Sequence, residues 1–245
     1  MDAGKKRIVV KVGTSTLTHE NGKLNFKRID KLVQVLSDLR NMGNDVILVT
    51  SGAIGVGISK IKLKNETKTM REKQAAAAIG QCELMFLYEK LFTQYGNNTA
   101  QILLTKKITD DTTGKENVIN TINTLLDWGV IPVINENDSV AFEEIEFGDN
   151  DTLSALISIL VNADLLILMT DIDGLYDKNP KDDSSAKLIS KVTKITEKLK
   201  ANAGGAGTRR GTGGMITKLM AAEMAMENGI DMYIVNGKNP TNIYD

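Results

Sequence analysis

The chain has 245 residues, 42% of them hydrophobic, and a formal net charge of −1. That length suits one large α/β domain or two small ones, and the near-neutral balance excludes a general attraction for nucleic acid. One cysteine, Cys82, excludes an intrachain disulfide, and no apolar run approaches the ~20 residues of a membrane span, so a cytoplasmic protein is expected. Aromatic residues make up only 4%, so the core must be built from Ile, Leu, Val, Ala and Met. Three prolines and no long Ser/Pro tract argue against a linker, so residues 1–245 are read as a single domain.

Arg7 to Val12 reads as a buried strand ending in a small turn, Gly13-Thr14-Ser15. Lys11 stands out as a cation within an apolar strand. An unpaired buried ammonium is costly, so it needs an anionic partner, either in a structural ion pair or at a functional site. His19, the one histidine, sits in a polar turn that does not suit a catalytic Ser-His-Asp arrangement. Phe26 to Met42 is an amphipathic helix, with Ile29, Leu32, Val33, Leu36 and Leu39 at helical spacing. Asp45 to Thr50 is a second buried strand, running into the Gly-rich turn Ser51-Gly-Ala-Ile-Gly-Val-Gly57. Open α/β sheets bind ligands at the carboxyl ends of strands, and sequential strands usually neighbour each other. The turns after the first two strands are therefore expected to lie together.

Residues 60–73 form a basic stretch that reads as a solvated loop. Lys68 to Tyr95 is a long Ala-rich helical region, in which Gly80 either bends the helix or permits close packing and Cys82 reads as a packing residue. Thr99 to Leu104 is a third strand, Asn117 to Asp127 a helix, and Val130 to Ile134 a fourth strand ending in Asn135-Glu-Asn-Asp138. Turn chemistry could account for Asn137-Asp138, but four polar residues exceed what a turn requires. Val140 to Phe147 reads as a hairpin or edge strand with a charged face. Gly148-Asp-Asn-Asp151 then opens a helix carrying Leu153, Leu156, Ile157, Leu160 and Val161 on one face. Capping needs one such polar residue, not three.

Asp164 to Thr170 is a fifth strand, ending in Asp171-Ile-Asp-Gly-Leu-Tyr176. That run lacks the glycine position and terminal glutamate of a calcium loop. Ala186 to Ser190 suggests a short hairpin segment and Thr193 to Lys200 a short helix. Residues 204–214 are a glycine-rich loop, and Gly211-Thr-Gly-Gly-Met-Ile-Thr-Lys218 opens a helix reaching about Glu227. Glycine amides, a helix N-terminus and a mobile lysine together suit phosphate oxygens, although the run is not a Walker A loop and also fits a flexible surface loop. Asp231 to Val235 is a further strand, and Pro240 begins a last helix. The alternation of strands and helices predicts an α/β protein, an αβα sandwich with a mostly parallel open sheet.

Taken together and in order, Lys11-Val-Gly-Thr-Ser-Thr16, Ser51-Gly-Ala53, Asn135-Glu-Asn-Asp138, Gly148-Asp-Asn-Asp151, Thr170-Asp171 and the run to Lys218 resemble the amino acid kinase family. Within it they are most similar to the branch that acts on free L-glutamate. Gly13 is followed by Thr14-Ser15, where related kinases for aspartate or N-acetylglutamate usually carry a second glycine. The resemblance implies transfer of the γ-phosphoryl of ATP, with Mg2+, to the side-chain carboxylate of L-glutamate, opening proline synthesis. By the same resemblance, Lys11, Asp151 and Lys218 are catalytic, the two lysines gripping phosphates and the aspartate orienting them. Ser51, Asp138 and Asn150 match the acceptor-binding positions. Lys11, Thr170, Asp171, Thr212, Gly213, Gly214, Met215, Ile216, Thr217 and Lys218 match the nucleotide-binding positions, and no residue is assigned as a metal ligand.

The resemblance further implies an acceptor lobe over about 1–165, a nucleotide lobe over about 166–245, a homo-oligomer (dimer or tetramer) and proline as a feedback inhibitor. It also implies that these residues stop within a late helix of the kinase domain and include no RNA-binding-like PUA module. Two alternatives stay open: a sister kinase with another acceptor, and a non-catalytic sensor on the same fold.

Overall fold

A computed structural model describes residues 4–62, 69–105, 111–140, 150–178, 180, 183–203 and 214–244. The main sheet holds six strands: β1 (Arg7–Val12), β2 (Asp45–Val49), β3 (Thr99–Leu104), β4 (Ile131–Glu136), β5 (Leu165–Thr170) and β8 (Asp231–Asn236). Their spatial order is β3-β4-β2-β1-β5-β8, and every pairing is parallel. A two-stranded antiparallel ribbon of β6 (Leu175–Tyr176) and β7 (Leu188–Ile189) stands apart, and it accounts for the hairpin expected over 186–190.

Alternation along the strands builds two cores. Ile8, Val10 and Val12 of β1, with Val46 and Leu48 of β2, pack under α2 (Phe26–Asn41), α3 (Ala53–Lys60) and α4 (Met70–Gln94). Val9, Ile47, Val49, Leu166 and Leu168 pack under α5 (Thr112–Asp127), α6 (Asn150–Leu160) and α8 (Met215–Glu227). With both faces covered, the central strands read as continuous apolar runs. Lys11 shares the parity of Val9, so it lies on the α6 and α8 side of β1.

Caps set where several helices begin. Asn25 accepts from the Arg28 amide at 3.1 Å to start α2, and Asp111 accepts from the Gly114 amide at 2.6 Å to start α5. Thr69 and Glu72 form a reciprocal capping box at the head of α4. Because Asp111 caps it, α5 starts five residues earlier than the expected Asn117. α7 (Glu197–Ala203) begins later than the expected Thr193, and the last helix is a single 3-10 turn, Pro240–Ile243.

The two small turns are shorter than expected. Gly13 caps a one-turn helix, α1 (Thr14–Leu17), and the run 51–57 becomes α3 from Ala53 onward. Within these two turns Gly52 alone, at φ +93°, has the left-handed backbone that favours glycine, and it makes the chain reversal out of β2. Gly57 of α3 and Gly80 of α4 serve packing instead. A Cβ at Gly57 would lie 1.9 Å from the Ala76 carbonyl oxygen, and one at Gly80 would lie 1.8 Å from that of Ala53. Gly80 therefore brings α4 against α3 without breaking α4, which runs unbroken through it. Cys82 is not a packing residue: it is exposed, while Tyr88 and Phe92 of the same helix are buried. All but Val140 of the expected edge strand at 140–147, and residues 204–213 of the glycine-rich loop, lie outside the described residues, as do residues 63–68 of the basic stretch.

The connections place the functional end. β1 pairs with β2 on one side and with β5 on the other, so chain direction across the sheet reverses at β1. In such sheets the crevice at the carboxyl ends of these strands receives ligands. Those ends are Val12, Val49 and Thr170, and the sequence-expected site residues follow them.

Candidate active site

Asp151, in the first turn of α6, is fully buried. Lys11 Nζ lies 2.6 Å from its Oδ1 and Lys218 Nζ lies 3.0 Å from its Oδ2. Both lysines are themselves buried, 7% and 6% exposed, so the ion triad is largely removed from water. The Thr217 hydroxyl lies 3.0 Å from Asp151 Oδ2 and 2.7 Å from the Gly214 carbonyl oxygen, at the head of α8. Burial alone would push the Asp151 carboxyl up. The two ammonium groups outweigh it and hold the group down at about 2. The partner that Lys11 requires is thus shared with Lys218, which approaches from a segment 207 positions along the chain (218 − 11).

A second network begins one residue earlier. The two hydrogens of Asn150 Nδ2 are shared among three acceptors, the Thr50 carbonyl at 2.7 Å, Ser51 Oγ at 2.8 Å and Asn135 Oδ1 at 2.9 Å. Asn135 Nδ2 in turn donates to Gln81 Oε1 at 2.8 Å. Asn150 Oδ1 and Gln81 Nε2 are buried with no hydrogen-bond partner among the described residues. Under this network the Thr50 hydroxyl meets the Tyr88 hydroxyl at 2.8 Å, fixing the end of β2 to α4, and burial pushes the Tyr88 phenol well up.

Gln81 lines a cavity of about 400 Å3, together with Ala53, Cys82, Glu136, Asn137 and Asp138. Asn137 is held by the Ser139 hydroxyl at 2.6 Å. The cavity is joined through Gln81, Asn135 and Asn150 to the ion triad. Expected acceptor residues therefore split in place: Asp138 lies in the cavity wall, while Ser51 and Asn150 belong to the hydrogen-bonded network that reaches the cavity through Gln81. On the other side, Thr170 ends β5 with its hydroxyl 3.2 Å from Asp171 Oδ1, and Asp171 is exposed. Gly214 caps α8 without a side-chain bond, and Met215, Ile216 and Thr217 form the first turn, whose amides lack an intrahelical partner. Thr212 and Gly213 lie outside the described residues.

Sequence reasoning missed Gln81 and Asn135 as connected site residues and Thr217 as a ligand of Asp151. A signal for Gln81 was present. It shares the buried stripe of α4 with Ala77, Gly80, Leu84 and Tyr88, where a polar side chain needs a partner.

A buried carboxylate clamps two lysines at the head of α8, on an all-parallel sheet with a cavity alongside. The residue pattern of the amino acid kinase family matches residues 6–236, and the chain belongs to that family. Among its curated relatives, the glutamate 5-kinase of Clostridium perfringens (strain 13 / Type A) is 54% identical over 244 residues, covering 98% of this chain and 91% of the relative. The glutamate 5-kinase of Clostridium acetobutylicum is 57% identical over 235 residues, covering 95% and 87%. Two solved structures share the fold at low identity. An isopentenyl phosphate kinase substrate complex has a TM-score of 0.67 at 19% identity, covering 98% of this chain and 94% of its own. UMP kinase from Ureaplasma parvum has a TM-score of 0.63 at 14% identity, covering 96% and 92%.

Proposed function

We infer that this chain transfers the γ-phosphoryl group of ATP to the side-chain carboxylate of L-glutamate, giving L-glutamyl 5-phosphate, the first intermediate of proline biosynthesis. The observation that carries the reading is the Lys11–Asp151–Lys218 triad, in a chain more than half identical to two glutamate 5-kinases along nearly its whole length.

The chemistry asks little beyond this. A carboxylate is ionised at neutral pH and is already a nucleophile, so no general base is needed. Phosphoryl transfer depends on alignment and on neutralising charge over the phosphate oxygens. Lys11 and Lys218 act from two directions on the transferring group and the polyphosphate. Asp151 holds their ammonium groups close against mutual repulsion. The amides of Gly214 to Thr217 add donors at the positive end of α8. Thr170 and Asp171 contact the nucleotide from the end of β5. Both oxygens of Asp151 already face ammonium groups, so Mg2+ fits as the nucleotide's own counter-ion, ligated by phosphate oxygens and water, with Asp171 the exposed carboxylate on that side.

On the acceptor side, Asp138 receives the α-ammonium, and Ser51 and Asn150 position the reacting end. The carboxylates of Glu136 and Asp138 in the cavity wall favour an amino acid over a phosphorylated acceptor such as UMP. N-acetylglutamate has no ammonium to offer them. The reading includes an acceptor lobe over about 1–165, a nucleotide lobe over about 166–245, a homo-oligomeric cytoplasmic enzyme, and proline as an inhibitor competing at the acceptor cavity. Among the described residues no helix is long and apolar enough to cross a membrane. The test is ADP release from Mg-ATP with L-glutamate, L-aspartate, N-acetylglutamate and UMP offered separately. Turnover with L-glutamate alone is expected. Turnover with another acceptor and none with L-glutamate would assign the chain to a sister reaction.

A further inference from the structure

The three linked amides carry information about direction. The Thr50 carbonyl can only accept, so the Asn150 atom facing it must be Nδ2. Asn135 must then present its oxygen to that same Nδ2, which turns its own Nδ2 toward Gln81. Gln81 must answer with Oε1, so its Nε2 is the atom left over. A main-chain carbonyl at the end of β2 thus dictates that Gln81 offers a donor, and not an acceptor, beyond the relay. The donor belongs to a side chain 8% exposed that lines the cavity, and it has no partner among the described residues. Leaving such a group unsatisfied is expensive, so it calls for a partner: a water, an ion or a ligand in the cavity.

We propose that Gln81 is a specificity-determining residue of the acceptor cavity, its side-chain N–H donating to the α-carboxylate of the amino acid acceptor. The proposal rests on the function inferred above. The reacting carboxylate of the acceptor must point toward Lys11 and Lys218, at the Asn150 end of the relay. The other end of the acceptor lies in the cavity, where Gln81 and Asp138 both stand in the wall. An α-amino acid carries its ammonium and its carboxylate on one carbon, so a donor and a carboxylate on one cavity wall match that pair. The relay also ties recognition to chemistry, because Asn150, which starts it and orients Gln81 through Asn135, is the neighbour of Asp151 in α6.

The test compares L-glutamate with 4-aminobutyrate, which keeps the ammonium and the reacting carboxylate but lacks the α-carboxylate, in the wild-type chain and in Gln81→Glu. That substitution keeps an oxygen for Asn135 Nδ2 and sets a carboxylate where the donor was. A hydrogen bond to a charged group is worth roughly 10- to 100-fold in affinity. The expected result is a rise of at least about 10-fold in the KM for L-glutamate, with a far smaller change for ATP. The kcat/KM preference for L-glutamate over 4-aminobutyrate should fall by about 10-fold or more. An unchanged preference, or equal losses for both acceptors, would overturn the proposal while leaving the inferred function intact. A wild-type chain that does not turn over L-glutamate would overturn both. Should Gln81→Glu fail to fold, the wild-type preference decides: it is expected to exceed about 10-fold, and near-equal use of the two acceptors refutes the contact.

Discussion

Replacing Asp151 with Asn keeps the shape of the side chain and removes the charge that holds the two lysines. The ammonium groups of Lys11 and Lys218 sit against opposite oxygens of one carboxylate, at 2.6 and 3.0 Å. Two such charges roughly 6 Å apart repel by about 3 kcal/mol at an effective dielectric of ~20. Breaking a buried ion pair costs about 3–5 kcal/mol, a large share of a typical domain stability of roughly 5–15 kcal/mol. Asp151→Asn should therefore lower unfolding stability by about 3 kcal/mol in urea titrations. The loss should shrink when ATP is present, because the phosphates supply the missing negative charge. The turnover number should fall by about 100- to 1,000-fold, the size seen when an electrostatic contact to the reacting group is lost.

The pH dependence has a definite sign. The folded carboxyl is held at about 2 against a reference of 3.8, so its protonation is opposed by the fold. At 1.36 kcal/mol per pH unit this contributes about 2 kcal/mol that is fully present above about pH 4 and is lost as pH falls through about 2. The stability gap between wild type and Asp151→Asn should narrow over that window. A variant that unfolds at the wild-type urea midpoint and retains turnover within about threefold would refute the electrostatic argument.

Three other substitutions separate the parts of the site. Lys218→Ala leaves Asp151 paired with Lys11, so it should stay folded by circular dichroism while ADP release drops about 100-fold or more; an unchanged rate would remove Lys218 from the chemistry. Asp138→Asn should raise the KM for L-glutamate about 10-fold or more and that for ATP little, whereas equal effects on both would exclude an ammonium contact. Gly80→Ala places a methyl group on the Ala53 carbonyl at the α3–α4 crossing and should destabilise the fold by about 1–3 kcal/mol; a thermal midpoint matching wild type would mean that the two helices can part freely.

Much of this architecture was legible in the residues. The strands betray themselves because a parallel sheet covered on both faces forces runs such as Ile8-Val9-Val10, and Lys11 betrays the site because it interrupts one. The triad could be suspected from Lys11, Asp151 and Lys218 but not seen, since pairing residues this far apart depends on the order of strands, which periodicity does not encode. The Gly-rich run 51–57 misled for a related reason. Gly57 reads as part of a turn when only the local chain is considered, and Gly80 reads equally as a bend or a close approach; tertiary contact between α3 and α4 requires both glycines. Cys82 was misplaced because in an Ala-rich helix every face has small side chains, so composition does not reveal which one is buried. The amide relay was hidden because Gln81, Asn135 and Asn150 come from three segments, and the direction of their hydrogen bonds follows from one main-chain carbonyl.

The most direct test of the central claim is to trap the product rather than to count ADP. The wild-type chain would be incubated with Mg-ATP, L-glutamate and hydroxylamine, and the hydroxamate identified by mass spectrometry. An acyl phosphate at the side-chain carboxylate predicts γ-glutamyl hydroxamate, formed in proportion to ADP and absent without L-glutamate. ADP released in the presence of L-glutamate with no hydroxamate would contradict phosphorylation of that carboxylate.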